Sequence, residues 1–264
     1  MATLVTFHAH PDDESIATGG VMAKAADAGH RVVLVVATRG EHGEVAEGFL
    51  APDEELWKRR VEETLACAEI LGVARVEFLG YVDSGMIGTL ENDASGCFWQ
   101  ADVEEAAGRL AAILTEEKAD VLTIYDENGG YGHPDHIQVH RVGLRAAGLA
   151  ATPRVYMNTI NRDYFRQSFA AAAEAGVEMP GEINPEEFDG LGVPEDRITT
   201  TVDIRPWLAR KRGAMAAHAS QISETSFFLA MDPALFEGGF GQEWFIRCDA
   251  TPGLLETDLF DGIS

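Results

Sequence analysis

Apolar runs bounded by turn residues alternate with helical patterns four times in the first 150 residues, and nothing else in the chain limits the fold as strongly. Residues 3–9 (TLVTFHA) predict a buried strand, and 15–28 predict a helix that stops at Gly29. A second, β-branched strand follows at 31–38 (RVVLVVAT), then a helix from about 54 to 71 that ends at Gly72. The third unit is a strand at 75–80 and a helix at 102–118; the fourth is a strand at 120–126 (DVLTIYD) and a helix from about 134 to 147. Apolar strands joined by helices imply a parallel sheet covered on both faces. The fold class is therefore α/β, a Rossmann-like, mostly parallel sheet of order 3-2-1-4-5. Weaker signals predict a C-terminal α+β extension: strands at 154–160, 198–204 and 243–248, and helices at 161–176 and 206–219. Length fits one domain over residues 1–264, with a core at 1–150 and a substrate-pocket portion at 151–264. Pro and Gly between 177 and 196 mark a loop or lid.

That strand order carries a functional inference. Strands 1 and 4 become neighbours at the point where the winding reverses, and ligands bind beyond the carboxyl ends of such strands. The chain places its densest polar clusters there: HAHPDDES (8–15) after strand 1 and YGHPDH (131–136) after strand 4. His10, Asp13 and His136 offer two nitrogens and one oxygen, a set suited to Zn²⁺; Fe²⁺ suits the same ligands. Three protein ligands leave a position for water, which is the catalytic pattern. An ion there lowers the pKa of its water from ~15.7 toward ~7. Asp12, adjacent to a ligand, is the candidate base and later acid. His133 or Tyr131 is placed to stabilise an oxyanion, with Asp135 placed to hold His133 cationic. Each cluster has a plainer reading: Asp12 and Asp13 alone fit helix caps, and His140, four residues after His136, fits a core or supporting role.

Composition narrows the class. The net charge of −24, from 20 basic and 44 acidic residues, repels nucleic acid and anionic membranes. Cys67, Cys97 and Cys248 have neither disulfide-framework nor zinc-ribbon spacing. No run approaches the ~20 apolar residues of a membrane span, and the N-terminus has no signal-peptide pattern. A cytoplasmic, small-molecule enzyme is expected, compatible with a homo-oligomer. A nucleotide-binding reading fails because HPDDE stands where a glycine-rich phosphate turn belongs.

The paired motifs HAHPDDES and YDENGGYGHPDH resemble the LmbE-like (PIG-L) zinc-dependent N-deacetylases. LGYVDSGM (79–86), AHASQI (217–222) and ETDLFDGI (256–263) resemble the branch of mycothiol S-conjugate amidases and the mycothiol-pathway deacetylase. The resemblance implies an intracellular zinc amidohydrolase acting on an N-acylated amino sugar. It implies zinc on His10, Asp13 and His136, the base at Asp12 and the oxyanion-stabilising histidine at His133. It also implies substrate contacts at Arg59 (with Glu62), Asp83 and Glu41, with Glu44 near the same mouth; Arg59 and Glu62 equally fit an ordinary helix-surface ion pair. The chain departs from the conjugate amidases at Ala17, where they carry lysine, and over about 165–196. A catalytically silent sugar-binding relative and a deacetylase of another glycoside or antibiotic intermediate remain as alternatives.

Overall fold

The structure, a computed structural model, describes residues 1–174 and 190–263. Among these, strands β1 (Thr3–His8), β2 (Arg31–Val36), β3 (Arg75–Phe78), β4 (Val121–Tyr125), β5 (Arg154–Thr159), β6 (Thr200–Asp203) and β7 (Gln242–Arg247) form one sheet of order β3-β2-β1-β4-β5-β7-β6. The first five are parallel, in the expected order; β7 lies antiparallel between β5 and β6. The helices are α1 (Asp13–Ala17), α2 (Gly19–Asp27), α3 (Leu56–Leu71), α4 (Val103–Glu117), α5 (Pro134–Ala150), α6 (Arg162–Glu174), α7 (Leu208–Ala217), α8 (Phe227–Ala230) and α9 (Pro233–Phe240).

The two-residue alternation of the strands fills both faces. Val5, Phe7, Val33, Val35, Leu122 and Ile124 pack with Leu110, Leu114, Val139 and Val142 of α4 and α5. Leu4, Val32, Leu34 and Val121 pack with Met22, Leu71 and Ala214 of α2, α3 and α7. Every residue of β1 and β4 is buried, which is why these runs are mostly apolar on both faces.

The helix expected over 15–28 is instead two, broken at Thr18 (φ −133°, ψ 7°). The Thr18 hydroxyl lies 2.8 Å from His8 Nε2. The new N-terminus is capped from the far end of the chain: Gly20 N and Val21 N donate to Glu243, at 2.7 and 2.8 Å. A Cβ on Gly20 would sit 2.5 Å from Ile204, so this approach requires glycine. The expected lid at 177–196 falls largely on residues 175–189, outside the described residues. No helix among the described residues is long and apolar enough to cross a membrane.

Candidate active site

Beyond the carboxyl ends of β1 and β4 the two motifs meet. After β1 the chain turns through His10-Pro11-Asp12 into α1. Asp12 takes φ +106°, an unusual region for a side chain-bearing residue and a form of strain found at functional sites. Three contacts hold the turn. Asp12 N donates to Glu14 Oε2 (3.0 Å), Ser15 Oγ donates to Asp12 O (2.7 Å), and Arg60 Nη2 donates to Pro11 O (2.5 Å). After β4, Pro134 opens α5 behind His133, whose Nδ1 accepts from Asp135 N at 3.1 Å. His136 therefore points back toward β1.

Asp13 Oδ2 stands between the two motifs, 3.4 Å from His10 Nδ1 and 3.3 Å from His136 Nε2. His136 Nδ1 lies 3.2 Å from Gly129 O, so that nitrogen carries the proton and Nε2 presents its lone pair. That Nε2 is buried without a hydrogen-bond partner. A Cβ on Gly129 would meet the His136 Cβ at 2.6 Å, so glycine is needed for this approach. On the other ring, His10 Nε2 faces Asp135 Oδ2 (3.1 Å) and Asp83 Oδ1 (3.5 Å). The proton on Nε2 leaves His10 Nδ1 free toward Asp13. Two ring nitrogens and a carboxylate oxygen thus converge, a donor set that could hold a cation, and such a cation would give the orphaned Nε2 a partner. Among the described residues, His10, His133 and His136 also bring ligand atoms within 4.8 Å of one another, as do His10, Asp83 and Asp135.

The electrostatics separate the two acids of the turn. Burial pushes Asp13 up, but His136 and His10 outweigh it and hold the carboxyl well below the usual range. Burial pushes Asp12 up to about 6, against the Arg60 guanidinium, which holds it down. Arg60 Nη2 lies 3.4 Å from Asp12 Oδ2. The Tyr131 ring stands edge-on to His136, 4.9 Å between centroids, at the rim of the cavity.

Four expected site residues, Asp135, Arg59, Asp83 and Glu41, make other contacts than those expected. Asp135 does not hold His133 cationic. Its carboxylate accepts from Ser84 N (2.9 Å) and the Ser84 hydroxyl and faces His10. Burial, with His10 and His136 alongside, pushes His133 down to about 4. With Nδ1 already accepting a backbone N–H, the neutral ring carries its proton on Nε2 and remains a donor. Arg59 does not pair with Glu62 or reach the cluster; it binds Glu54 (2.6 Å) and lies over Phe49. Asp83 is buried and committed, accepting from His42 N (3.2 Å) and Gly85 N (2.8 Å) beside His10. Glu41 supports it, accepting from Asp83 N at 3.1 Å, while Glu44 is exposed. His140 turns away to Tyr125 O (3.0 Å).

Arg60 was missed, although residues 60, 64, 67 and 71 make one buried stripe of α3 whose spacing separates it from Arg59. Also missed was the buried pair of His218 and Glu14, 2.7 Å apart, which supports the Asp12 turn from below.

The family described as PIG-L: GlcNAc-PI de-N-acetylase matches residues 5–147. The chain belongs to the PIG-L family. A curated relative from Streptomyces scabiei, "1D-myo-inositol 2-acetamido-2-deoxy-alpha-D-glucopyranoside deacetylase", is 42 % identical, covering 98 % of this chain and 89 % of its own. Among solved structures, N,N'-diacetylchitobiose deacetylase from Pyrococcus horikoshii aligns with a TM-score of 0.60 at 22 % identity, over 99 % of this chain and 86 % of that one. GalB, a 4-carboxy-2-hydroxymuconate hydratase from Pseudomonas putida, aligns with a TM-score of 0.64 at 19 % identity, over 95 % and 98 %. A hydratase and a deacetylase on one fold mean that the fold alone does not name the reaction. Within the PIG-L family, the matched segment of this chain contains both motifs.

Proposed function

We propose that this chain is a Zn²⁺-dependent amidohydrolase that removes the N-acyl group from an amino-sugar substrate of the glucosaminyl-inositol kind named for its curated relatives. The observation that carries the reading is Asp13 Oδ2 set between the lone pairs of His10 Nδ1 and His136 Nε2, with Asp12 alongside. Zn²⁺ held by these three residues would polarise the amide carbonyl and acidify a water. The chain's own groups supply the rest. Asp12 takes a proton from water as its oxygen bonds to the carbonyl carbon. His133 Nε2–H and the Tyr131 hydroxyl donate to the carbonyl oxygen as it gains charge. Asp12 then delivers its proton to the nitrogen as the C–N bond breaks, leaving a carboxylate and a free amine. Asp83 and Asp135 orient His10, and Arg60 fixes Asp12.

The high negative charge disfavours polyanionic partners, and a cytoplasmic small-molecule enzyme is the setting that fits. Amine release from the N-acetylated glucosaminyl-inositol, measured with zinc-loaded and chelator-treated protein alongside metal analysis, tests the reading. Metal-dependent release of about one amine per amide supports it. Absence of release from protein shown to hold one zinc overturns it.

A further inference from the structure

The segment AHASQI, residues 217–222, has no part in the chemistry described so far. It begins at the last residue of α7, a helix that packs on both α1 and α3. His218 is fully buried, and its Nε2 lies 2.7 Å from Glu14 Oε1. Glu14 is fully buried too, and its other oxygen accepts from Asp12 N at 3.0 Å. One carboxylate therefore joins a histidine 204 residues away to the backbone beside it. Two residues on, Ser220 N and Oγ donate to Glu63 at 2.9 and 2.6 Å. Glu63 sits on α3 one turn after Arg60, whose guanidinium donates to Pro11 O and reaches Asp12 Oδ2. The segment thus meets both supports of Asp12: the acceptor under its amide, and the helix that carries the cation beside its carboxylate.

Two features separate this arrangement from ordinary core packing. His218 Nδ1 is buried without a hydrogen-bond partner. A buried polar atom left unpaired is a cost to the fold, and an apolar side chain of like size would avoid it. What the ring does offer is the bond to Glu14. The second feature is what lies at the end of that chain of bonds. Asp12 is held at φ +106°, a conformation that persists only where its surroundings over-determine it. Among the described residues, its N–H donates to Glu14 alone. A Glu14 side chain free to change rotamer would release that amide, and a backbone relaxing toward an ordinary φ would redirect the Asp12 carboxylate. The His218 contact denies Glu14 that freedom.

We propose that His218 is a positioning residue for the base: through Glu14 it fixes the backbone of Asp12, and so the direction of the carboxylate that handles the proton. The proposal rests on the amidohydrolase reading and adds to it how the base is held. The steps of the reaction and their proton balance are unchanged.

Substitutions at His218 test it, on protein shown by metal analysis to hold zinc. His218→Leu approximates the volume of the ring and removes the donor; His218→Gln sets an amide nitrogen near the place of Nε2 and restores it. His218→Leu is expected to lower kcat by about tenfold to a hundredfold with KM little changed, as for a misplaced catalytic group and not for lost binding. His218→Gln is expected to recover most of that loss. In an Asp12→Ala background, His218→Leu is expected to lower kcat no further, because the group that His218 directs is already gone. A glutamine variant as slow as the leucine one, a rise in KM at unchanged kcat, or a full additional loss in the Asp12→Ala background overturns the proposal. Loss of zinc from His218→Leu also overturns it, since the effect would then fall on Asp13. If leucine is not tolerated at this buried position, His218→Asn is read in its place, its amide being too short to meet Glu14.

A second readout needs no turnover. Hydrogen exchange at the Asp12 amide is expected to quicken about tenfold or more in His218→Leu, and not in His218→Gln, as the bond to Glu14 opens. Equal rates in the parent and both variants sink the positioning role whether or not the protein is a hydrolase. Quickened exchange, in a protein whose zinc-loaded parent releases no amine, keeps the hold on Asp12 and sinks the hydrolase reading.

Discussion

Asp135 faces His10 across the crevice, Oδ2 to Nε2 at 3.1 Å, although the two residues lie 125 apart in the chain. The carboxylate fixes the proton on Nε2 and so turns the Nδ1 lone pair toward Asp13. Supports of this kind are worth about 10–100-fold in metal affinity. Asp135→Ala is therefore expected to weaken zinc binding by that factor in a chelator competition. Unchanged affinity would mean that Asp135 serves only the fold.

Asp12 combines a buried carboxylate with a strained backbone, and the two can be separated by substitution. Asp12→Ala is expected to keep zinc and lose about 10²–10⁴ of turnover, the usual contribution of a general base. Asp12→Gly is expected to be as inactive yet more stable than Asp12→Ala by about 1 kcal/mol, because glycine tolerates φ +106°. Denaturant midpoints of the two variants check the second part, and metal analysis with amine release checks the first.

Arg60 and Arg59 adjoin in sequence and face opposite ways. Arg60 ties Pro11 O and Asp12 to Gly40 O, the last at 2.9 Å; Arg59 pairs with Glu54 near the surface. Arg60→Ala is expected to lower kcat at least about tenfold more than Arg59→Ala, since it leaves the Pro11 carbonyl and the Asp12 carboxylate without their charged donor. Steady-state kinetics on both variants decide; the reverse order would restore Arg59 as the substrate-facing arginine.

Stability toward acid has a marker outside the site. Hydrogen bonds from Arg31 and Arg75 hold the Glu117 carboxyl down to about 2. A depressed carboxyl stabilises the fold above its unfolded pKa of ~4.3, and the contribution is lost as pH falls toward the folded value. Glu117→Gln should therefore melt below the parent at pH 7. The gap should shrink between about pH 4.3 and pH 2, by the same linkage. A gap that widens on acidification would contradict this sign.

The parallel core was legible because β1, β2 and β4 are buried along nearly all their lengths and are therefore rich in apolar, β-branched residues. That the two motifs meet follows from the strand order, which sets the carboxyl ends of β1 and β4 side by side. What escaped was side-chain direction within a turn. Asp135 and His133 are two residues apart, and only three-dimensional placement shows that the carboxylate turns to Ser84 and His10. The break at Thr18 was hidden for a related reason, because its cause, Glu243, lies in the last strand. Arg60 was recoverable from helical spacing, since it shares its stripe with Thr64, Cys67 and Leu71, whereas Arg59 does not.

The Glu243 carboxylate gives the order of assembly a consequence. The second helix after the catalytic turn, α2, starts on amide groups satisfied by a residue more than two hundred positions later. A nascent chain released only as far as the fourth βα unit would carry both motifs while those amides still faced water. Its metal-gripping turn would rest on an unfinished foundation until the final strand emerged and docked. Truncation anywhere before that strand should then yield a protein that loses its ion readily, even with every ligand in place.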